Sequence, residues 1–452
     1  MNIVIAGAGE VGSHLAKMLG DGYHDITVID SDPERLHALA ATADIMVVEG
    51  KPSSPKVLKN AGVDKADLFV AVYPSSSQDV NLVSAILAKK MGCRKVTARV
   101  NNEEYLVADN RRIFNDLGID LMFYPEKIAA NEIRDLISHN AAADSLDFAR
   151  GKLRMAAFKL EDGSPVIDMT LQEFAQTEEG QKQQFRVVAI SRNDETIIPK
   201  SDTRFKYHDI IFIIAKTEGI ESLMHYLGKS EIDVRKVMIM GGSPIGEIVA
   251  RLLAEQNYQV KIIDYDKERC NQLAESLPDN VMIVNGDGRN TDFLIDENIR
   301  DFDAFVALTS RSETNTLACV AAKKLGIGRT IAQVENIEYI SLAEEMGVDA
   351  IINKKLVTAG RIFKFTLSDK VRFVKYISGT NAEIIEFVVA PGSKITKAPL
   401  KELKLPAGVI IGGAIRGNDS FIAVGDTQIE AYDRVAVFAT PESVKELDKW
   451  FK

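Results

Sequence analysis

Over the first hundred positions the apolar residues alternate between short unbroken runs and stretches in which they recur every three or four places. Runs bounded by turn residues fit strands buried on both faces, and the wider spacing fits helices with one apolar side. Residues 2 to 7 read as a buried strand, followed by a tight glycine turn and a helix from Val11 to Leu19. Ile26 to Asp30 is the second strand. DPERLHALAATA is a helix with Pro33 in its first turn, where a missing N–H costs nothing. DIMVVEG, SPKVLKNAGV, DLFVAVY, a helix from Asn81 to Met91 and KVTARV carry the alternation to about residue 100. Strand and helix in strict succession predict a parallel, doubly wound α/β sheet.

The same pattern then returns. IVIAGAGEVG at Ile3 to Gly12 is answered by MIMGGSPIG at Met238 to Gly246, and Asp30 at the end of TVID by Asp264 at the end of KIID. Gly7 to Gly241 and Asp30 to Asp264 are the same 234 positions apart. DNVMIVNGDG, TDFLIDENI, DAFVALTS, TNTLACVAAKKLG and TIAQVEN repeat the later elements. Ala71 matches Ala307 at 236, so the first copy carries two extra residues between Tyr73 and Asp79, a change that a surface loop absorbs cheaply.

After each copy the pattern shifts to short strands separated by turn residues. Val187 to Ala215 is echoed by GGAIRGNDSFIAVGDTQIEAYDRVAVFA near the C-terminus, with Asp209 and Asp433 preceding matching apolar strands. The order is that of a duplicated two-domain unit. The expected boundaries are 1–140 and 230–366 for two Rossmann-like domains, and 141–229 and 367–452 for two small α+β C-lobes. Each pair is joined by a segment of helical spacing, Glu126 to His139 and Lys355 to Ser368, the first with Ile128, Ile133, Leu136 and Ile137 roughly on one face. Such a helix either packs on its own domain or crosses over to pair the two nucleotide-type domains.

Composition narrows the classes. With 46% apolar and 27% charged residues in 452, the chain is globular and large enough for three or four domains. A net charge of -10 argues against nucleic acid and bare anionic lipid as partners. The longest apolar stretches, such as Ile210 to Ala215, fall far short of the roughly 20 residues a membrane-spanning helix needs. Three isolated cysteines (Cys93, Cys270, Cys319) indicate neither a disulfide framework nor a thiolate metal site, and fit a reducing cytoplasm. No signal peptide is read at the start, where a strand already begins.

The glycine motifs carry the candidate chemistry. Gly7 permits the turn, Gly9 lets the backbone approach a pyrophosphate, and Gly12 lets helix and strand pack closely. The N–H groups of about residues 8 to 11 (Ala8, Gly9, Glu10, Val11) would face phosphates at a helix N-terminus, and Asp30 would accept from ribose hydroxyls. An acid there favours NAD or an adenosine nucleotide over a 2'-phosphorylated cofactor. Glu10 is compatible with that only if its carboxylate turns away. Tyr73 and Pro74 close the fourth strand and Arg99 the fifth, positions that line the crevice, so Arg99 is a candidate phosphate contact and Tyr73 a base contact. In the second copy Ser243 stands for Gly9, Pro244 removes an N–H, and Gln333 replaces Arg99. That site is expected to be weaker, differently selective or structural. No GxxxxGK[ST] lysine is present, and the six histidines fall in no acid–base motif.

GAGEVG, VID with Asp30, AGVDKADLFVAV, AILAKKMG and TARVNNEEY resemble the nucleotide-binding half of RCK (KTN) domains, which regulate potassium conductance. Two complete copies in one chain are similar to the TrkA family, the peripheral NAD-binding subunits of Trk-type potassium uptake systems. The resemblance spans nearly the whole chain. It implies a first nucleotide site of Gly7, Ala8, Gly9, Glu10, Val11, Gly12, Asp30, Tyr73, Pro74 and Arg99. It implies a second at Gly241, Gly242, Ser243, Pro244, Ile245, Asp264, Asp287, Thr309 and Ser310. It further implies NAD or NADH, or ATP/ADP, as ligands. The implied assembly is a homo-oligomeric ring of four tandem units in the cytoplasm, peripheral to the inner face of the membrane, beneath an integral-membrane potassium-translocating partner. No catalytic or metal residue is expected. The rival readings are an NAD-dependent oxidoreductase, which would need a proton donor near the nicotinamide, and a scaffold with vestigial sites.

Overall fold

A computed structural model describes residues 1–20, 24–138, 145–148, 152–161, 163–193, 195–228, 233–363, 371–376 and 382–451. The three expected domain boundaries, and His139 and residues 364–368 of the two linking segments, lie outside the described residues. The first copy forms a six-stranded parallel sheet from β1 (Asn2–Ala6), β2 (Asp25–Asp30), β3 (Met46–Glu49), β4 (Leu68–Ala71), β5 (Lys95–Arg99) and β6 (Leu121–Phe123). Its order is β3-β2-β1-β4-β5-β6, so the strand order reverses between β1 and β4, above which the glycine turn sits. The central strand β4 is apolar throughout because both faces are covered, and its Phe69 packs with Val96 and Ala98 of β5 against Leu82, Ala85 and Ala88 of the helix Gln78–Met91.

The next sheet is antiparallel and five-stranded: β7 (Ser145–Phe148), β8 (Leu153–Lys159), β9 (Phe185–Arg192), β10 (Glu195–Ile197) and β11 (Ile210–Ala215), in the order β10-β9-β11-β8-β7. The second copy repeats the parallel sheet with β12 (Lys236–Met240), β13 (Gln259–Asp264), β14 (Val281–Asn285), β15 (Ala304–Ala307), β16 (Arg329–Gln333) and β17 (Ala350–Ile352), ordered β14-β13-β12-β15-β16-β17. The last sheet, β18 (Val371–Tyr376), β19 (Glu383–Val388), β20 (Val409–Arg416), β21 (Asp419–Ile422) and β22 (Arg434–Ala439), follows the order β18-β19-β22-β20-β21. Each small sheet is a topological copy of the other. Asp209 and Asp433, both fully buried, show why the acid recurs: each takes a two-pronged contact from an arginine, Arg192 at 2.7 and 2.7 Å and Arg416 at 2.9 and 2.8 Å. A buried carboxylate is tolerated because the planar guanidinium satisfies both of its oxygens.

The chain divides into two compact units. One holds residues 1–129 together with the helix Lys354–Phe363, which comes from the end of the second copy and packs on the helix Glu10–Gly20. The other holds residues 130–353 and the last sheet; within it Ser138, ending the helix Pro125–Ser138, meets the Tyr258 hydroxyl at 3.4 Å. The linking helices thus cross over rather than stay with their own copies.

In the second unit the two small sheets pack face to face. Alternation along the IIFIIA strand explains its unbroken apolar run: Phe212 and Ile214 point to the facing sheet, among Ile384, Ile415 and Phe438, while Ile211 and Ile213 point to Phe174, Leu223 and Met224 behind. A bulge interrupts β9 at Val188, and its counterpart interrupts β20 at Gly412. Gly412 is small because a Cβ there would lie 2.1 Å from Ile214 Cδ1. Gly412→Val, which installs the other copy's residue, is expected to lower stability by about 1–3 kcal/mol through overpacking, read as a reduced midpoint in thermal or urea unfolding; an unchanged midpoint would contradict this packing.

Candidate functional site

β1 delivers the chain to Gly7, whose φ of +117° lies in the region open to glycine and whose N–H donates to the Ile29 carbonyl at 2.8 Å. The helix then begins at Glu10, and its first backbone bond runs from Ser13 N–H to the Gly9 carbonyl at 2.8 Å. The N–H groups of Gly9, Glu10, Val11 and Gly12 therefore precede any intrahelical acceptor, at the positive end of the helix dipole. Gly12 packs so tightly that a Cβ would fall 1.8 Å from the Gly7 carbonyl oxygen, whereas a Cβ on Gly9 would meet nothing within 4 Å. The first glycine-helix contact is structural. The second position faces open space, a cleft of about 490 Å³ lined in part by Ala8, Gly9, Glu10, Val11 and Ser13.

Asp30 ends β2 against this turn, 3% exposed, and accepts from Ala8 N–H at 2.6 Å and from Asp32 N–H at 2.9 Å. Ala8 N–H is thus already taken, which leaves the amides of Gly9, Glu10 and Val11 among those of the expected cradle. Each carboxylate oxygen keeps a further lone pair for a sugar hydroxyl. The Tyr73 hydroxyl accepts from Ser31 N–H at 3.0 Å, tying the ends of β2 and β4, and burial foremost pushes its phenol above the ordinary range. Pro74 beside it does line the cleft. Asn81 fixes this corner by accepting from Tyr73 N–H at 2.9 Å and donating to the Tyr73 and Arg99 carbonyls at 3.2 and 3.1 Å.

Arg99 reaches the cleft from the end of β5. It is buried and donates to Glu126 Oε1 at 3.0 Å; Lys354 Nζ stands 3.7 Å from the same oxygen. Arg99 Nε and Glu126 Oε2 are buried without hydrogen-bond partners, the condition expected where a ligand or water completes a site. Glu10 is exposed, with its carboxylate 3.7 Å from Lys355 Nζ, so its charge is partly compensated. Arg35 adds a further cation to the lining. An open glycine turn, a carboxylate with lone pairs to spare and three cations have the chemistry that a nucleotide diphosphate requires.

The second copy repeats the frame and alters the cradle. Gly241 has φ +110°, Gly242 N–H donates to Asp264 Oδ2 at 2.6 Å, Asp266 N–H donates to Asp264 Oδ1 at 2.9 Å, and a Cβ on Gly246 would lie 2.2 Å from the Gly241 oxygen. But Ser243 Oγ accepts the Gly246 N–H at 3.2 Å, and Pro244 has no N–H to offer. Of the four amides only those of Ser243 and Ile245 remain. Asp287 is held by Arg289 through two bonds of 2.8 Å, which keep its carboxyl below the usual range. Thr309 directs its N–H and hydroxyl to Asn315 at 3.0 and 2.6 Å; Ser310 is exposed. Gln333, in the place of Arg99, donates to Glu335 at 2.7 Å.

Ser13, Arg35, Val72, Glu126 and Lys354 line the first cleft without having been singled out by motif. Arg35 had a signal, since Arg269 recurs at the same 234-residue interval. Lys354 had none, because it arrives from the end of the other copy. Among the described residues no three His, Cys, Asp or Glu side chains could hold a metal, and no helix is long and apolar enough to cross a membrane. Burial pushes the Cys93 thiol up to about 11 and depresses His14 together with the charges of Lys355 and Lys17, neither a poised nucleophile nor a base.

Comparison with known proteins agrees with this architecture. The TrkA-N domain matches residues 3–125 and again 237–354, and the TrkA-C domain matches residues 155–228 and 384–452. The Trk system potassium uptake protein TrkA homolog of Archaeoglobus fulgidus is 36% identical over all of both chains. Homolog 1 of Methanosarcina mazei is 33% identical, also over all of both. TrkA of Haemophilus influenzae is 33% identical across 100% of this chain and 99% of its own. Among solved structures, the GsuK RCK domain superposes with a TM-score of 0.60 at 16% identity, covering 100% of this chain and 94% of that one. The GsuK channel bound to NAD gives 0.60 at 17%, covering 100% and 78%. With both domain types matched twice and relatives aligned end to end, the chain belongs to the TrkA family.

Proposed function

We propose that the chain is a regulatory subunit that binds NAD(H) or ATP/ADP in the first cleft. Its occupancy is passed to an integral-membrane potassium-translocating subunit. The observation that carries this is the first glycine turn: the unpaired amides of Gly9, Glu10 and Val11 beside an open cleft, with Asp30 stapled beside them. The potassium uptake relatives supply the process, and the NAD-bound channel of similar fold supports the ligand class. The four-lobed organisation, with boundaries at 140, 229 and 366, belongs to the same reading. So do a homo-oligomeric ring and a cytoplasmic position at the inner membrane face. A ligand shifts such an assembly only by its difference in affinity for the two shapes, and moving it from mostly shut to mostly open takes about 5.5 kcal/mol. Several clefts acting together supply that more readily than one.

A coupling element lies in the cleft itself. A diphosphate competing with Glu126 for Arg99 and Lys354 would loosen the ion cluster that holds the start of the Lys354–Phe363 helix. That helix is continuous with the second copy, so occupancy of the first reaches the second along the chain. An oxidoreductase reading has no support in the names of the relatives.

Asp30→Ala and Asp30→Asn are expected to weaken NADH and ATP binding by about 10- to 100-fold, the value of hydrogen bonds to a charged group. Isothermal titration, with an unfolding scan as the folding control, checks this; unchanged affinity for both ligands removes the first cleft from the account. The two glycines should separate. Gly9→Ala leaves the unfolding midpoint nearly unaltered and lowers nucleotide affinity, whereas Gly12→Ala lowers the midpoint itself. Equal effects of the two on both measurements would contradict the assigned roles.

A further inference from the structure

The two copies solve one local problem in different ways. The residue after the first glycine presents a carbonyl that must be satisfied. In the first copy the Ser13 hydroxyl donates to the Ala8 carbonyl at 2.9 Å. In the second the counterpart of Ser13 is Glu247, an acceptor, and the Gly242 carbonyl is taken by Arg269 Nε at 2.6 Å. Arg269 then spans to Glu247, Nη2 to Oε2 at 2.6 Å, and Arg251 holds the other carboxylate oxygen at 3.1 Å. Arg35, which occupies Arg269's place in the first copy, turns instead to Asp32 at 3.1 Å and stays at the wall of the open cleft.

The consequence lies in where the charges sit. Glu247 is in the first turn of the helix Pro244–Glu255, so it places a fixed anion at the positive helix end that a phosphate would otherwise meet. Arg269 covers the turn: a Cβ on Gly242 would lie 3.3 Å from its Cγ. Burial opposes ionisation of Glu247, but bonds from Arg269 and Ser276 and the charges of Arg269 and Arg251 outweigh it and hold the carboxyl below its usual range. The pair stays charged and shut at neutral pH.

We propose that the Glu247–Arg269 ion pair is an internal latch that closes the second glycine turn to dinucleotides, so that the residue at the Ser13/Glu247 position decides which copy is occupied. This rests on the reading of the first cleft as a nucleotide site. Glu247→Ser rebuilds the first copy's arrangement, because the serine hydroxyl can take over the Gly242 carbonyl and release Arg269 toward a phosphate.

NADH titration of the full-length protein, counted as equivalents per chain, tests it. One equivalent is expected for the wild type, one of about 10- to 100-fold weaker affinity for Asp30→Ala, two for Glu247→Ser, and for Asp30→Ala combined with Glu247→Ser that weakened equivalent together with a new one whose affinity matches the second site of Glu247→Ser. Glu247→Gln, which weakens the pair while keeping its shape, serves as the second opening variant should the serine chain fail to fold, and it too should add binding beyond one equivalent. Two equivalents on the wild type, or one persisting on Asp30→Ala with wild-type affinity, overturns the latch while leaving nucleotide binding in place. Folded Glu247→Ser and Glu247→Gln chains that still bind one equivalent overturn it as well. A wild type that binds no NADH removes the reading of the first cleft on which the latch depends.

Discussion

A single hydrogen bond organises each nucleotide-type domain: the carboxylate ending the second strand accepts the backbone N–H of the residue after the first glycine, at 2.6 Å in both copies. It pins the turn to the neighbouring strand, fixes where the following helix starts, and leaves the next amides pointing at whatever lies above the strand ends. Because the carboxylate also receives a second N–H two residues on, and in the first copy is buried as well, its position is set before any ligand arrives. Preorganisation of this kind lowers the cost of gathering donors around a diphosphate. The same bond in the second copy shows that the frame is kept where the cradle is altered, with one amide capped by Ser243 and one absent at Pro244.

Much of this was legible in the amino-acid order. The 234-residue interval between Gly7 and Gly241 exposed the duplication, and the glycine turn followed by an acid at Asp30 put the free amides and the carboxylate at one crevice. Ser243, Pro244 and Gln333 marked the second copy as altered, and the described contacts give each a physical meaning: a cap that consumes an amide, an amide removed, a cation deleted. Those are local effects, which a motif can carry.

The residues that escaped are the ones whose partners are remote. Lys354 joins Glu126 and Arg99 only because the linking helices cross over, and no spacing rule reports an exchange between copies. Tyr73 sits at a strand end that usually faces ligand, yet its hydroxyl is spent on the Ser31 amide. Gly412 looks like an ordinary strand glycine until Ile214 of the facing sheet is placed beside it. The engagement of Ala8 N–H likewise depends on a side-chain acceptor 22 positions away. Tertiary pairing, not propensity, decided each of these.

The most direct measurement of the central claim is a crystal structure of the full-length protein grown with excess NADH. The account predicts a diphosphate within hydrogen-bond distance of the amides of Gly9 to Gly12, ribose hydroxyls on Asp30, and Arg99 drawn from Glu126 toward phosphate. Dinucleotide bound elsewhere, with that turn and the Arg99–Glu126 pair unaltered and only solvent between them, would contradict it.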